Sequence, residues 1–283
     1  MLLVAALMLV ANEACVGFSA RRLAAAAGSR DLDGMAVVWD DYARLSGRSF
    51  VRIGVLGLET SLRSRALQLA EQVITNYRSP LPTVREHQWS AAQKNLQRAL
   101  TLAPSDRRLT AALRYCEGHL HRIDGEAEKA RGQRAAANQQ FADAVAAFRE
   151  AAELRPDWPD PFLGLARTFI YGLEDTDRAA DAIKQAQQRG YAIGDRESAQ
   201  LGDGYRLRGD NLRQTARRLK RLPQEEDYLQ RAQAAYRDAL AQYERIPGFP
   251  NMAANLRRVH RAIEEIDLRV EELAAEKQVA KPF

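Results

Sequence analysis

"FADAVAAFREAAELRP", Phe141 to Pro156, is the stretch that decides the fold. Ala144, Phe148 and Ala151 lie four and three residues apart, so in a helix they share one face. Small residues on either side of a large one let a second helix come close, while the large side chain fills the space opposite. Pro156, five residues past the last alanine, stops the run. The same Ala-x3-large-x2-Ala spacing returns as Ala92, Leu96 and Ala99, again with a proline five residues on, Pro104. It returns further as Ala179, Ile183 and Ala186, and as Ala232, Tyr236 and Ala239. The residue three before the first alanine is large in three copies: Trp89, Phe141 and Leu229. A single match in an alanine-rich chain would mean nothing, but four at one spacing mark a repeat.

A second pattern precedes several copies. "LGDGYRLRG" (Leu201–Gly209) sets Gly202 and Gly209 seven apart, with Tyr205 between them. "EGHLHRIDG" (Glu117–Gly125) repeats the two glycines as Gly118 and Gly125, and "PFLGLARTFIYG" (Pro161–Gly172) offers Phe162, Leu165, Ala166 and Phe169. Together the halves form a helix–turn–helix unit of about 34 residues, and they resemble the tetratricopeptide repeat (TPR), W-x2-L-G-x2-Y followed by A-x3-F-x2-A and a proline. The resemblance covers about Pro82 to Arg269. It implies an all-α, TPR-like α-solenoid of about four degenerate helix-turn-helix repeats. The offsets between copies, 52, 35 and 53 residues, place two insertions, Glu126–Gln140 and Asp210–Asp227. Both have helical composition and are expected to lengthen helices rather than form loops. The third copy departs from the pattern, with Tyr191 in place of its closing proline.

The rest of the chain fits around this array. Of 283 residues 46% are hydrophobic and 28% charged, which suits a folded chain, and the abundance of Ala, Leu, Arg, Gln and Glu points to helix. "LLVAALMLVANEACVGFSA" (Leu2–Ala20) is interrupted only by Asn12 and Glu13 and stopped by Arg21 and Arg22. At nineteen residues it is just long enough to span a bilayer, so residues 1–22 are expected to form a transmembrane anchor. A cleavable signal fits poorly, because no Lys or Arg precedes the run. Glu13 would be costly in lipid unless paired, neutralised or near an interface. A helical spacer is expected over 23–81, in which Met35, Val38, Trp39 and Tyr42 form one apolar side. "SFVRIGVLGLE" reads as strand or loop, and a helix follows from about Glu59 to Tyr77. The repeats then occupy 82–250. A capping helix and tail over 251–283 carries the stripe Leu256, Val259, Ile263, Ile266 and Val270.

The net charge of +5 is spread among interleaved acids, which suits a solvated helical surface rather than a nucleic-acid footprint. Cys15 and Cys116 make no framework or ligand pair. His119 and His121, two apart, point to opposed faces of a helix and cannot share a metal. No Gly-rich phosphate loop, Gly-x-Ser-x-Gly elbow or His-Glu-x-x-His helix occurs. The reading is therefore of no enzyme and no cofactor or metal site.

Stacked repeats line a concave face with the first helix of each pair. The TPR resemblance implies a partner-binding groove of Tyr115, His119, Arg122, Leu163, Arg167, Ile170, Tyr171, Arg196, Asp203 and Arg206. Arginines beside aromatics suit an extended, acidic protein or peptide segment. The Lys and Asn of the family's carboxylate-clamp version are missing from these positions. In "LRQTARRLKRL" (Leu212–Leu222), Arg213, Arg217, Arg218, Lys220 and Arg221 form a further patch suited to an acidic partner or anionic lipid. The expected function is a membrane-tethered TPR scaffold for protein–protein interaction and assembly of a membrane complex. A single span, a short spacer and degenerate repeats with "RYCEGHLHRIDGEA" (Arg114–Ala127) and "WPDPFLGLARTFIYGLEDTDRA" (Trp158–Ala179) carry a weaker whole-chain resemblance, to the membrane-proximal and TPR region of bacterial membrane-anchored serine/threonine kinases, without the kinase domain. It implies as the alternative a sensory or docking module. The flanking arginines favour a cytoplasmic repeat domain, whereas the kinase-like resemblance favours a periplasmic one.

Overall fold

The computed structural model describes residues 2–279, and the outermost residues of the expected anchor and tail, Met1 and 280–283, lie outside the described residues. The chain is all-α: 80% is helical, with no strand among the described residues. Among the described residues eleven α-helices follow in order: α1 (Leu2–Gly28), α2 (Met35–Ser46), α3 (Leu56–Tyr77), α4 (Glu86–Leu102), α5 (Arg107–Ala130), α6 (Arg134–Leu154), α7 (Asp160–Arg167), α8 (Thr176–Gln188), α9 (Asp195–Arg218), α10 (Glu225–Tyr243) and α11 (Met252–Val279). They divide into two compact units. One comprises the chain up to Asp124 with Asp143–Asp157; the other comprises Gly125–Ala142 and everything from Trp158 on.

The repeating alanines fall in α4, α6, α8 and α10. All eight (Ala92, Ala99, Ala144, Ala151, Ala179, Ala186, Ala232 and Ala239) are 0% exposed, so each lies against a neighbouring helix. Both expected insertions are helical apart from short turns, because Glu126–Gln140 extends α5 and α6, and Asp210–Asp227 extends α9 and α10.

In the first unit α3 packs on α4, and α1 lies against α2 and α3. Met35, Val38, Trp39 and Tyr42 of α2 are buried, as are Leu62, Ala66, Leu69, Val73 and Ile74 of α3. The buried Trp39 Nε1–H donates to Asn95 Oδ1 (2.9 Å), and Asn95 Nδ2 donates to the carbonyl of Leu32 (3.0 Å), which satisfies the polar groups where α2 meets α4. The "SFVRIGVLGLE" run is a loop and a 3-10 turn at Ile53–Val55, and α3 begins at Leu56 rather than near Glu59. Its turn contains Arg52 at φ 61°, a left-handed conformation that a strand could not accommodate.

The second unit joins α7 to α8, α9 to α10 and α10 to α11. Val259 and Ile266 of α11 are buried against the α9–α10 cluster, with Leu256, Ile263 and Val270 partly buried beside them. That is the expected stripe.

The paired glycines explain how the long hairpins close. Gly202 lies against the ring of Tyr243 and Gly209 against that of Tyr236, so the two helices run antiparallel with a seven-residue rung spacing. A Cβ on Gly209 would fall 2.7 Å from Tyr236 Cε1, inside any real contact. In the first unit Gly118 faces Phe148 in the same way, and in the second Gly125 faces Phe141. The glycines are admitted for close approach, offsetting their helix penalty of about 1 kcal/mol against alanine.

Candidate functional site

Polar side chains concentrate on the face of the second unit formed by α7, α9 and α10. In α9 each rung glycine is followed by an aspartate, Gly202–Asp203 and Gly209–Asp210. The tyrosine that packs on the glycine donates its hydroxyl to that aspartate. Tyr243 Oη–H donates to Asp203 Oδ1 (2.7 Å), and Tyr236 Oη–H donates to Asp210 Oδ1 (2.6 Å). Where the ring is Phe148 or Phe141, the residue after the glycine is His119 or Glu126, and there is no hydroxyl to satisfy.

Arg206 ties the two rungs together. Its guanidinium donates to Asp210 Oδ2 (3.0 Å) and lies 3.9 Å from Asp203 Oδ1. Arg258 of α11 reaches the same Asp210 oxygen at 2.9 Å. Tyr171 Oη–H closes the network by donating to Asp203 Oδ2 (2.9 Å). Burial and the neighbouring Asp203 push the hydroxyls of Tyr171 and Tyr243 well above the ordinary tyrosine value, so both stay protonated donors.

Tyr171 is aimed by an irregularity. After Arg167 the backbone widens into a π-helical turn, Thr168–Gly172. Such turns insert a residue and re-aim side chains. Lys129 Nζ holds its end, donating to the carbonyls of Tyr171 (2.9 Å) and Gly172 (3.3 Å) and to Glu174 Oε1 (2.8 Å). A cation at the carbonyl end of a helix is favourably placed. The Lys129 ammonium holds the Glu174 carboxyl below its ordinary range. The Arg167 guanidinium lies 5.8 Å from the centre of the Tyr171 ring, within cation–π reach.

Of the ten residues expected in a groove, Arg167, Tyr171, Asp203 and Arg206 come together here, all half-buried. Leu163 and Arg196 are also half-buried. Ile170 is buried and gives its side chain to the core. Tyr115, His119 and Arg122 require a larger correction, because they are core residues and not an open surface. The His119 ring stacks on Trp89 at 4.2 Å and 13° and is edged by Tyr77, Tyr115 and Phe148. The face of α5 assigned to a ligand is covered by α3 and α4 of the same unit.

The basic run at the end of α9 is partly spent inside the fold. Arg213 and Arg217 both reach Glu265 of α11, at 2.7 and 3.5 Å. The backbone N–H of Arg221 donates to Glu225 Oε2 (2.6 Å), and Arg218 and Lys220 are exposed. Between them a cleft of about 240 Å³ is lined by Arg213, Arg217, Lys220, Glu225, Glu265 and Arg269. Sequence reasoning missed Glu225, Asp210 and Tyr243. The Gly-Asp dipeptides facing tyrosines were the available signal for the last two.

Among the described residues no group of three or more His, Cys, Asp or Glu side chains is placed to hold a metal ion. The chain matches no family model, and a search of curated proteins found no match.

Proposed function

We propose that the chain is a membrane-tethered helical-repeat scaffold of the TPR type that holds an extended protein segment, in the service of assembling or stabilising a membrane complex. The observation that supports this reading most is the recurrence of one closure device, the glycine–aromatic rung, in hairpins separated along the chain. Repeated hairpins of this kind present surface rather than a reaction centre. The apolar helix α1, whose stretch Leu3–Gly28 is long and apolar enough to cross a membrane, supplies the tether.

The segment is held on the α7–α9 face by Arg167 and Arg196 beside Leu163 and Tyr171, which suits a ligand carrying acidic side chains or a terminal carboxylate. Asp203 and Arg206 act as supports: Asp203 accepts the hydroxyls of Tyr171 and Tyr243, and Arg206 lies beside it. The test is an array of extended peptides with and without acidic residues, probed with the detergent-solubilised chain. The unaltered protein should retain acidic peptides selectively, and Arg167→Glu should weaken that binding at least tenfold, on the order expected for reversing one charge-assisted contact. Equal retention by the two proteins, with unchanged helical melting, would contradict the assignment of this face.

A further inference from the structure

The first unit exposes apolar side chains in two places that its fold brings together. Helix α1 shows Leu3, Leu7 and Met8 to solvent, and the loop before α3 shows Phe50 (79% exposed), Val51 and Ile53 (68%). Glu13 joins the two. Its Oε1 accepts the backbone N–H of Phe50 (2.8 Å), and its Oε2 accepts Ser49 Oγ–H (2.7 Å) and the N–H of Gly54 (3.0 Å). Asn12 Nδ2 adds a bond to the carbonyl of Arg48 (2.9 Å). The loop is thereby clasped beside α1, with Val10 and Ile53 on the walls of one groove. From Asn12 onward α1 belongs to the folded unit, and Val16, Ala20 and Ala27 are buried.

We infer that, in this docked arrangement, α1 seats in a single leaflet of a bilayer, with residues 3–11 in the hydrocarbon and Phe50, Val51 and Ile53 inserted beside them at the interface. This rests on the membrane-tether reading and refines it. Two observations favour this seat over a crossing by Leu3–Gly28. The Glu13 carboxylate is committed to the loop, and Arg52 of that loop pairs with Glu59 of α3 and donates to Tyr42 of α2. A crossing by Leu3–Gly28 would carry these groups toward the middle of the bilayer, where charge is disfavoured. Finally, Arg48 and Arg52, next to the inserted loop residues, are exposed where anionic headgroups would lie.

The experiment uses the full chain with Cys15→Ser, since Cys116 is buried and burial pushes its thiol up, leaving it poorly reactive. Leu7→Cys and Ile53→Cys carry an environment-sensitive fluorophore, and Leu3→Cys is challenged with a membrane-impermeant maleimide. The vesicles are phosphatidylethanolamine with phosphatidylglycerol. Both fluorophores should leave water, the one at position 53 quenched by shallow lipid nitroxides and the one at position 7 by deep ones. The cysteine at position 3 should be shielded from both sides. Adding Glu13→Ala should return the position-53 probe to water and leave the position-7 probe in lipid; an unmoved position-53 probe would overturn the clasp. Modification at position 3 from the face opposite the folded domain, with position 53 in water, would overturn the single-leaflet seat while leaving a tether intact. Failure of the protein to float with the vesicles would remove the tether as well.

Discussion

Replacing Phe141 with alanine is expected to destabilise the second unit by about 3–5 kcal/mol, the usual loss for a buried aromatic truncated to alanine. Phe141 has no exposed surface and sits between two glycines, Gly125 of α5 and Gly172 at the end of the π-helical turn. A Cβ on Gly125 would meet Phe141 Cε1 at 2.6 Å, and one on Gly172 would meet Cδ1 at 2.7 Å. Gly125→Ala should therefore cost about 1–3 kcal/mol by overpacking. The same substitution should cost markedly less in a Phe141→Leu background, where the ring edge is gone. Urea unfolding followed by circular dichroism measures both. If Gly125→Ala is neutral in the unaltered protein, the close approach of α5 and α6 at this rung is wrong.

The second large effect lies at the other end of the second unit. Arg269 of α11 donates from Nε to Glu225 Oε1 (2.7 Å) and from Nη2 to Glu225 Oε2 (3.0 Å), a two-pronged pair at the start of α10. The Glu225 side chain is 4% exposed and that of Arg269 16%. Losing Arg269 removes both guanidinium donors from a buried carboxylate that otherwise accepts the backbone N–H of Arg221. The expected cost of Arg269→Met is about 2–3 kcal/mol, below the 3–5 of a wholly buried pair because the arginine retains some contact with water. The Arg269 guanidinium holds the Glu225 carboxyl below its ordinary value of 4.5. A carboxyl depressed in the folded state contributes stability that is present above its unfolded value and lost as pH falls through the folded one. Unfolding free energy should therefore drop as pH is lowered below about 4.5, and the drop should be shallower in Arg269→Met. Equal acid sensitivity in the two proteins would mean that the pair does not fasten α11 to α10.

Local packing demands are legible in this sequence, and long-range partners are not. Ala92, Ala144, Ala179 and Ala232 were legible because close helix approach demands small residues at fixed spacing, and that demand is local. Gly202 and Gly209 were legible for the same reason, as was the helical nature of both insertions. Glu13 shows the opposite case: its donors are Ser49, Phe50 and Gly54, more than thirty residues away, and no local pattern records them. The expected groove failed at Tyr115, His119 and Arg122 because the sequence gives the spacing of a helix face but not which neighbour covers it. His119 reads as a polar residue on a helix, yet the stacked Trp89 makes it core. The Tyr–Asp ladder stood between these extremes. Asp203 and Asp210 keep the glycine period, but their tyrosine partners could be matched only once the antiparallel register of α9 and α10 was known.

That register is most directly tested by double-mutant cycles across the α9–α10 hairpin. Gly202→Ala with Tyr243→Leu, and Gly209→Ala with Tyr236→Leu, should each show a coupling of about 0.5–3 kcal/mol, while the crossed pairs, Gly202 with Tyr236 and Gly209 with Tyr243, should be additive to within about 0.5 kcal/mol. Coupling in the crossed pairs, or its absence in the direct ones, would contradict the glycine–aromatic rungs on which the repeat reading stands.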